Sequence, residues 1–143
     1  MANESINKLS KDNIQVLYRY LFFYTKQYEN CYGRFDWNDA SVANFCQEHS
    51  ITSKGRRNQT YNSSFFWFDT FTPKGKKVND VAHHFLRHIR NAIAHANICK
   101  VRRKNKSYVI VDDYDKKGKQ SMHGEIKEDL FFQFLGIVIN TFK

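Results

Sequence analysis

Proline, glycine and cysteine are all scarce in this sequence. Its 143 residues include one proline, six glycines and three cysteines. The scarcity of proline and glycine excludes a collagen-like or low-complexity chain and indicates a folded protein. The cysteines (Cys31, Cys46 and Cys99) are odd in number and lack CxxC spacing. This pattern excludes a disulfide-stapled secreted domain and indicates reduced thiols in the cytoplasm. The length predicts a single domain over residues 1–143.

Long hydrophobic runs are also missing. The N-terminal segment MANESINKLSKDNIQ has no apolar stretch of the kind that a signal peptide needs. The longest apolar runs, such as FLGIVI near the C-terminus, are far too short to cross a bilayer. We therefore expect a cytoplasmic protein with no membrane partner.

Acidic residues are outnumbered by basic ones. The 14 Asp and Glu against 23 Lys and Arg give a formal net charge of +9. Such an excess favours a polyanionic partner, above all nucleic acid, because binding releases counterions. It is equally compatible with basic loops that only remain solvated. The basic residues gather in four segments: Lys54, Arg56 and Arg57; Lys74, Lys76 and Lys77; Lys100, Arg102, Arg103, Lys104 and Lys106; and Lys116, Lys117 and Lys119.

The spacing of apolar residues predicts a mainly α fold. Apolar side chains recur at helical intervals through most of the chain, with polar loops between them. The aromatic cluster FFWFDTF is interpreted as a short helical segment that fills the core. Helices are predicted over 12–32, 35–50 and 65–71, from Asn79 or Asp80 to about His95, and over 125–143.

A different pattern separates the last two predicted helices. The runs ICKVRR and SYVIVDD alternate in the manner of strands, and the polar KNK between them predicts a small β-hairpin. The following YDKKGKQSMHG is interpreted as a polar, basic turn. The sequence therefore predicts a helical bundle of four to five helices with a β-hairpin insert before the last helix.

The helix that ends near residue 95 carries an unusual polar stripe. At about 100° per residue, His84, His88, Asn91 and His95 fall within an arc of about 60°. The neighbouring face carries the apolar residues that must meet the core. A helix that only packs against a core has no use for so many titratable side chains. The stripe therefore indicates either a solvated surface or a functional site.

A metal site is one alternative for this stripe. His84 and His88 have the i, i+4 spacing of a zinc-binding pair. A third ligand is missing, because His95 lies about 16 Å further along the helix axis and no acidic residue accompanies the pair. We therefore predict no metal here. His83 points to another side of the helix and is predicted to lie on the surface.

The segment RNAIAH resembles the R-x4-6-H motif of HEPN domains (higher eukaryotes and prokaryotes nucleotide-binding). Arg90, Asn91 and His95 occupy the arginine, the polar residue that commonly follows it, and the histidine. The next two residues resemble the small-residue-plus-Asn ending often seen there, with Ala96 in place of the usual glycine. The motif also lies near the end of a long helix before the last helix of a bundle, as it does in that family.

The resemblance implies a metal-independent endoribonuclease without a cofactor, in which two motifs meet across a homodimer and cleave RNA by 2′-OH attack. His95 would be the general acid/base, Arg90 the phosphate clamp and Asn91 the positioning residue. Many members are toxins or phage-defence effectors, so an antitoxin or inhibitor protein is a further expected partner. Residues predicted to bind RNA or line the site are His84, His88, Arg87, Lys100, Arg102 and Arg103.

Two other functions remain open at this stage. One is a non-catalytic HEPN module that binds RNA, nucleotide or a partner protein. The other is a helical DNA-binding regulator, although no helix-turn-helix signal supports it. A geometric difficulty also accompanies the enzyme hypothesis, because Arg90 and His95 point about 140° apart on an ideal helix. A dimer would ease it, since two stripes would then face one cleft.

Overall fold

The long helices and the hairpin are the elements that the apolar spacing predicts best. The computed structural model describes residues 3–5, 9–53, 64–70 and 80–143. Its elements are β1 (Asn3–Ser5), α1 (Lys11–Phe23) continued by a π-helical turn (Tyr24–Tyr28), α2 (Ala40–Glu48), β2 (Ile51–Ser53), β3 (Ser64–Phe68), α3 (Val81–Ala94), β4 (Ile98–Arg103), β5 (Lys106–Tyr114), β6 (Gln120–Lys127) and α4 (Glu128–Ile139).

The strands form one sheet of six in the described part of the chain, in the order β1-β4-β5-β6-β3-β2. All neighbours are antiparallel except β2 and β3, which are parallel. The prediction of a mainly α bundle with a hairpin insert is therefore wrong. The hairpin strands β4 and β5 are the second and third strands of a mixed sheet, and the fold is an α+β arrangement.

Strand β3 was predicted as a helix because it is apolar on both faces. Phe66 and Phe68 face the main core, whereas Phe65 and Trp67 lie on the opposite face of the sheet. These two side chains are also buried, with exposed fractions of 5% and 6%. A short apolar run of this kind has no two-residue alternation, so its spacing cannot separate a strand from a buried helix. Phe71, at the end of the predicted segment, lies outside the described residues.

Strand β6 was predicted as part of a turn and the start of the last helix. Gly124 lies in the strand interior, opposite Phe66 of β3. A Cβ added at Gly124 would approach the Cβ of Phe66 to 3.3 Å. The glycine therefore permits close approach of two strands and does not mark a turn. Helix α4 begins after it, at Glu128.

The predicted β4–β5 hairpin is confirmed. Arg103 pairs with Lys106, which leaves Lys104 and Asn105 as a two-residue turn. Both turn residues have positive φ, +49° and +65°, as a type I′ turn requires to match the twist of the strands.

The helices pack on one face of the sheet. Side chains from α1, α2, α3 and α4 share a core with residues of β3, β5 and β6. Aromatic rings dominate its centre, where Trp37 contacts Phe66, Phe85 and Phe134 at centroid distances of 6.0, 5.4 and 6.0 Å. Helix α3 begins after Asp80, as predicted, and Asp80 accepts a hydrogen bond from the backbone N–H of His83. This core holds α3 between the π-helical turn and the sheet.

Candidate active site

The last turn of α3 ends in a Schellman motif that positions the motif histidine. The Asn97 N–H donates to the Ala92 carbonyl (2.8 Å) and the Ala96 N–H to the Ile93 carbonyl (3.1 Å). His95 is the C-cap residue, and Ala96 after it has φ +57°. Glycine is the usual residue at such a left-handed position because a Cβ costs about 1–2 kcal/mol there.

Asp113, near the end of β5, connects the polar side of α3 to the sheet. Its carboxylate lies 2.8 Å from His88 Nδ1 and accepts hydrogen bonds from the Asn91 side-chain amide (3.3 Å) and the Tyr114 backbone N–H (2.9 Å). Burial by itself raises the pKa of Asp113. The hydrogen bond and charge of His88, with the donors of Asn91 and Tyr114, outweigh burial and hold the pKa below its usual value. An ionised, buried carboxylate therefore anchors Asn91.

Asp113 was missed by the sequence analysis. It lies 22 residues after Asn91 along the chain, and its contact with α3 depends on how β5 packs against that helix. The one available signal was the pair of acidic residues at the end of the otherwise apolar SYVIVDD.

Both ring nitrogens of His88 lie within hydrogen-bond distance of an acceptor. Its Nδ1 faces the Asp113 carboxylate and its Nε2 lies 2.8 Å from the Asp69 backbone carbonyl. Both partners are hydrogen-bond acceptors, so a ring nitrogen that carries a proton can donate to the acceptor it faces. The structure therefore places His88 as a link between α3, β5 and the segment after β3.

His84 is buried and does not form a metal pair with His88. It is 2% exposed, and its ring packs edge-on against the rings of Tyr32 and His83 at centroid distances of 6.3 Å. Within the described residues, no group of three or more His, Cys, Asp or Glu side chains is arranged to hold a metal ion.

A polar cavity of about 280 Å³ lies between the π-helical turn and α3. It brings together Arg90 and Asn91 of the motif, and the Arg90 guanidinium donates to the Asn91 side-chain oxygen at 3.1 Å. Because Asn91 is also bonded to Asp113, the sheet restrains one wall of the cavity. The lining residues are Tyr24, Glu29, His83, Arg87, Arg90 and Asn91.

The prediction that His83 lies on the surface is wrong. His83 is 7% exposed and lines this cavity. Burial, followed by the nearby Arg87 charge, lowers its pKa despite the opposing effect of Asp80. His83, Arg87 and Arg90 have i, i+4 and i+7 spacing and so share one side of α3. That spacing was the signal in the sequence, and the π-helical turn is what buries the first of the three.

His95 lies apart from this cavity. It is exposed at the C-cap of α3 and is not among the lining residues. In the part of the chain that the structure describes, its side chain makes no hydrogen bond. One protomer thus brings together Arg90 and Asn91 but leaves the motif histidine facing solvent.

The basic residues of β4 that were predicted to line the RNA site differ in their surroundings. Lys100 lies 3.7 Å from the Glu128 carboxylate, and Arg103 forms an ion pair with Glu125. Arg102 is exposed. The predicted basic segments at 54–57 and 74–77 lie outside the described residues.

A second cavity, of about 640 Å³ beside the start of α4, contains none of the motif residues.

A separate ion-pair network lies on the sheet face opposite the helices. His123 on β6 contacts Asp112 through Nδ1 (2.7 Å) and Glu125 through Nε2 (2.8 Å). Burial alone lowers the pKa of His123. The hydrogen bonds and charges of the two carboxylates outweigh burial and raise the pKa to about 9. The histidine is therefore charged at neutral pH and links β5 to β6.

The His123 network predicts a loss of stability in mildly alkaline solution. In the unfolded chain a histidine titrates near pH 6.5, so a folded pKa of about 9 stabilises the protein fully below about pH 6.5. This contribution disappears as the pH rises through about 9. We expect the unfolding free energy of His123→Gln, measured by urea denaturation, to decline much less than that of the wild type between pH 6.5 and pH 9. His49→Gln is the control and should behave as the wild type does. An equal decline of the unfolding free energy in the wild type, His123→Gln and His49→Gln would contradict the prediction.

The comparisons with known proteins identify the family. The model of the family described as HEPN pEK499 p136 matches residues 5–142, which confirms the resemblance seen in the RNAIAH segment. The chain therefore belongs to the HEPN superfamily and, within it, to this family. No curated protein and no solved structure matches the chain.

Among the residues that the structure describes, no helix has both the length and the hydrophobicity needed to cross a membrane.

Proposed function

We propose that this protein is a metal-independent endoribonuclease that acts as a homodimer, in the setting of a toxin or phage-defence system. The end of α3 carries the proposal: it presents Arg90, Asn91 and His95 in motif order, and the buried Asp113 anchors Asn91. Membership of a HEPN family supports it. RNA is the proposed substrate, and an antitoxin or inhibitor protein is a proposed further partner.

The residue types suit RNA cleavage by an internal nucleophile. Attack of the 2′-oxygen forms a bond to phosphorus and breaks the bond to the 5′-oxygen. One group must remove the 2′-OH proton, another must protonate the leaving 5′-oxygen, and the extra negative charge on the phosphate needs a cation. A histidine that titrates near neutral pH serves the proton transfers. An arginine provides a permanent charge and a planar fork to the phosphate.

The separation of Arg90 and His95 within one protomer supports the proposed homodimer. Because His95 faces solvent outside the cavity that Arg90 lines, a second protomer offers a way to complete the site. Helix α1 supports such a contact, since it leaves four large apolar side chains exposed. Their exposed fractions are 39% for Val16, 61% for Tyr18, 59% for Phe22 and 38% for Phe23.

An assay in EDTA tests the activity. We expect the purified protein to cut an RNA oligonucleotide into fragments with 2′,3′-cyclic phosphate and 5′-hydroxyl ends. DNA of the same sequence, and the same RNA with 2′-O-methyl groups, should remain intact because both lack the nucleophile. Cleavage of DNA, or cleavage of RNA only after a divalent cation is added, would contradict the mechanism.

A non-catalytic HEPN module is the second candidate function. The observation in its favour is that one protomer has a cavity rich in hydrogen-bond donors from which the motif histidine is absent. RNA binding in gel shifts at two salt concentrations, without fragments in EDTA, would support this module. The slope of affinity against salt then reports how many phosphates the protein contacts.

A further inference from the structure

The cavity beside α3 contains more anion-binding groups than the R-x4-6-H motif supplies. Arg87 and His83 lie one and two turns before Arg90 and line the same space. Tyr24 of the π-helical turn closes it from the other side. These three residues lie outside the motif, so the motif chemistry does not account for their position.

His83 is the strongest indication that the cavity receives a ligand. The residue is 7% exposed, and its Nδ1 is buried without a hydrogen-bond partner in the described part of the chain. Buried polar atoms are almost always paired in folded proteins, so an unpaired one at a cavity wall indicates a missing partner. The ring is held in place by contacts with Tyr24 and Tyr32 at centroid distances of 6.5 and 5.5 Å.

We propose that this cavity is a phosphate-binding subsite in which His83, Arg87 and Tyr24 bind a phosphate group of the RNA next to Arg90 and Asn91. The proposal rests on the proposed function in that it takes RNA as the source of the phosphate. It adds residues outside the motif and assigns them a ligand class.

The charges of the cavity favour an anion. Two guanidinium groups face one carboxylate, that of Glu29, so the formal sum of these groups is positive. Glu29 is exposed at the rim, where a carboxylate can accept a hydrogen bond from a ribose hydroxyl. Burial raises the pKa of Tyr24 to about 12, which keeps its hydroxyl protonated at neutral pH. Arginine binds phosphate through charge-assisted, frequently bidentate hydrogen bonds.

The size of the cavity limits the ligand. Pockets for small molecules are usually about 300–1,000 Å³, and this one is about 280 Å³. Such a volume suits one phosphate with its sugar and not a run of stacked nucleotides.

Mononucleotide binding tests the subsite independently of cleavage, because a mononucleotide has no internucleotide bond to cut. The probes are adenosine 5′-monophosphate, adenosine 3′-monophosphate and adenosine, titrated by calorimetry against the wild-type protein. We expect both monophosphates to bind, and adenosine to bind at least about tenfold more weakly. The reason is that losing a hydrogen bond to a charged group usually lowers affinity by about tenfold or more. A dinucleoside monophosphate with a 2′-deoxy first sugar distinguishes an internal phosphate from a terminal one.

Variants of Arg87 and His83 locate the binding site. We expect Arg87→Gln and His83→Asn each to weaken binding of the phosphate probes by about 10-fold or more. Arg87→Lys keeps the charge and should retain part of the affinity. Lys11→Gln, exposed at the start of α1 and outside the cavity lining, is the control and should bind as the wild type does. Circular dichroism and the thermal midpoint of each variant separate a lost contact from a lost fold.

The outcomes separate this proposal from the proposed function. Binding that depends on Arg87, in a protein that does not cleave RNA, would support the subsite and overturn the ribonuclease. Equal affinity of the wild type and a folded Arg87→Gln would overturn the subsite, even if cleavage depends on Arg90 and His95. Equal binding of adenosine and its phosphates would also overturn it.

Discussion

Replacement of His95 by alanine is expected to slow RNA cleavage by about 10²–10⁴-fold, the usual contribution of a general acid or base. The unfolding free energy should change little, because the side chain is exposed and makes no hydrogen bond in the described part of the chain. The measurement is the initial rate of oligonucleotide cleavage in EDTA, together with urea unfolding of both proteins. An unchanged rate would remove His95 from the mechanism.

His49→Ala is the matched control for this substitution. His49 is also the C-cap residue of a helix, with φ −106° and ψ 11° against φ −100° and ψ 8° at His95. It terminates α2 and does not line the cavity beside α3. The cleavage rate of this variant should equal that of the wild type, so that any loss in His95→Ala is specific to the motif.

Mixing two inactive variants tests whether the site is shared between protomers. If Arg90 of one protomer acts with His95 of the other, a dimer of Arg90→Ala with His95→Ala contains one intact site. Random exchange should then restore about a quarter of the wild-type rate in a two-fold symmetric dimer. If each site takes both residues from the same protomer, mixing restores nothing, and the composite arrangement is excluded.

Replacement of Asp113 by alanine is expected to destabilise the fold by about 3–5 kcal/mol, the usual cost of removing one member of a buried ion pair. The side chains of Asp113 and His88 are 4% and 12% exposed, so little water is available to replace the lost carboxylate. Asn91 loses its anchor at the same time. We therefore expect RNA cleavage to fall even at temperatures where the variant remains folded.

Urea unfolding of Asp113→Ala, Asp113→Asn and Asp129→Asn checks this expectation. Asp129 is exposed in the first turn of α4, so its variant should lose no more than about 0.3–1 kcal/mol, the usual contribution of a carboxylate at a helix N-terminus. A carboxylate whose pKa is lowered by folding stabilises the protein above its unfolded pKa of about 3.9 and loses this contribution as the pH falls through the folded value. The difference between wild type and Asp113→Asn should therefore shrink in acid. A cost below about 1 kcal/mol at neutral pH would contradict the role of Asp113 as an anchor.

The parts of the fold that the sequence predicted correctly depend on local interactions. Helix α3 has a continuous apolar face and a cap at Asp80, and both are determined within a few residues. The β4–β5 hairpin has two alternating runs joined by a two-residue turn, so its partner strands are neighbours in sequence. The three-residue motif from Arg90 to His95 was visible for the same reason, since its spacing on one helix is enough to recognise it.

The parts that were predicted incorrectly depend on distant partners. Strand β1, with the sequence NES, pairs through its backbone with Val101, Lys100 and Cys99 of β4. Such an edge strand needs no apolar pattern of its own. Strands β3 and β6 pair with each other, and their helix-like or turn-like appearance came from two-sided burial and from one glycine.

By itself, the sequence determined the family, the long helices, the β4–β5 hairpin and the order of the motif residues at the end of α3. The tertiary structure decided that the hairpin belongs to a six-stranded sheet, that Asp113 anchors Asn91, and that His83 is buried beside Arg87 and Arg90. The physical reason is the range of the interactions. Helical periodicity and turn geometry are set by neighbours in the chain, whereas burial and ion pairing depend on which faces meet when the helices pack on the sheet.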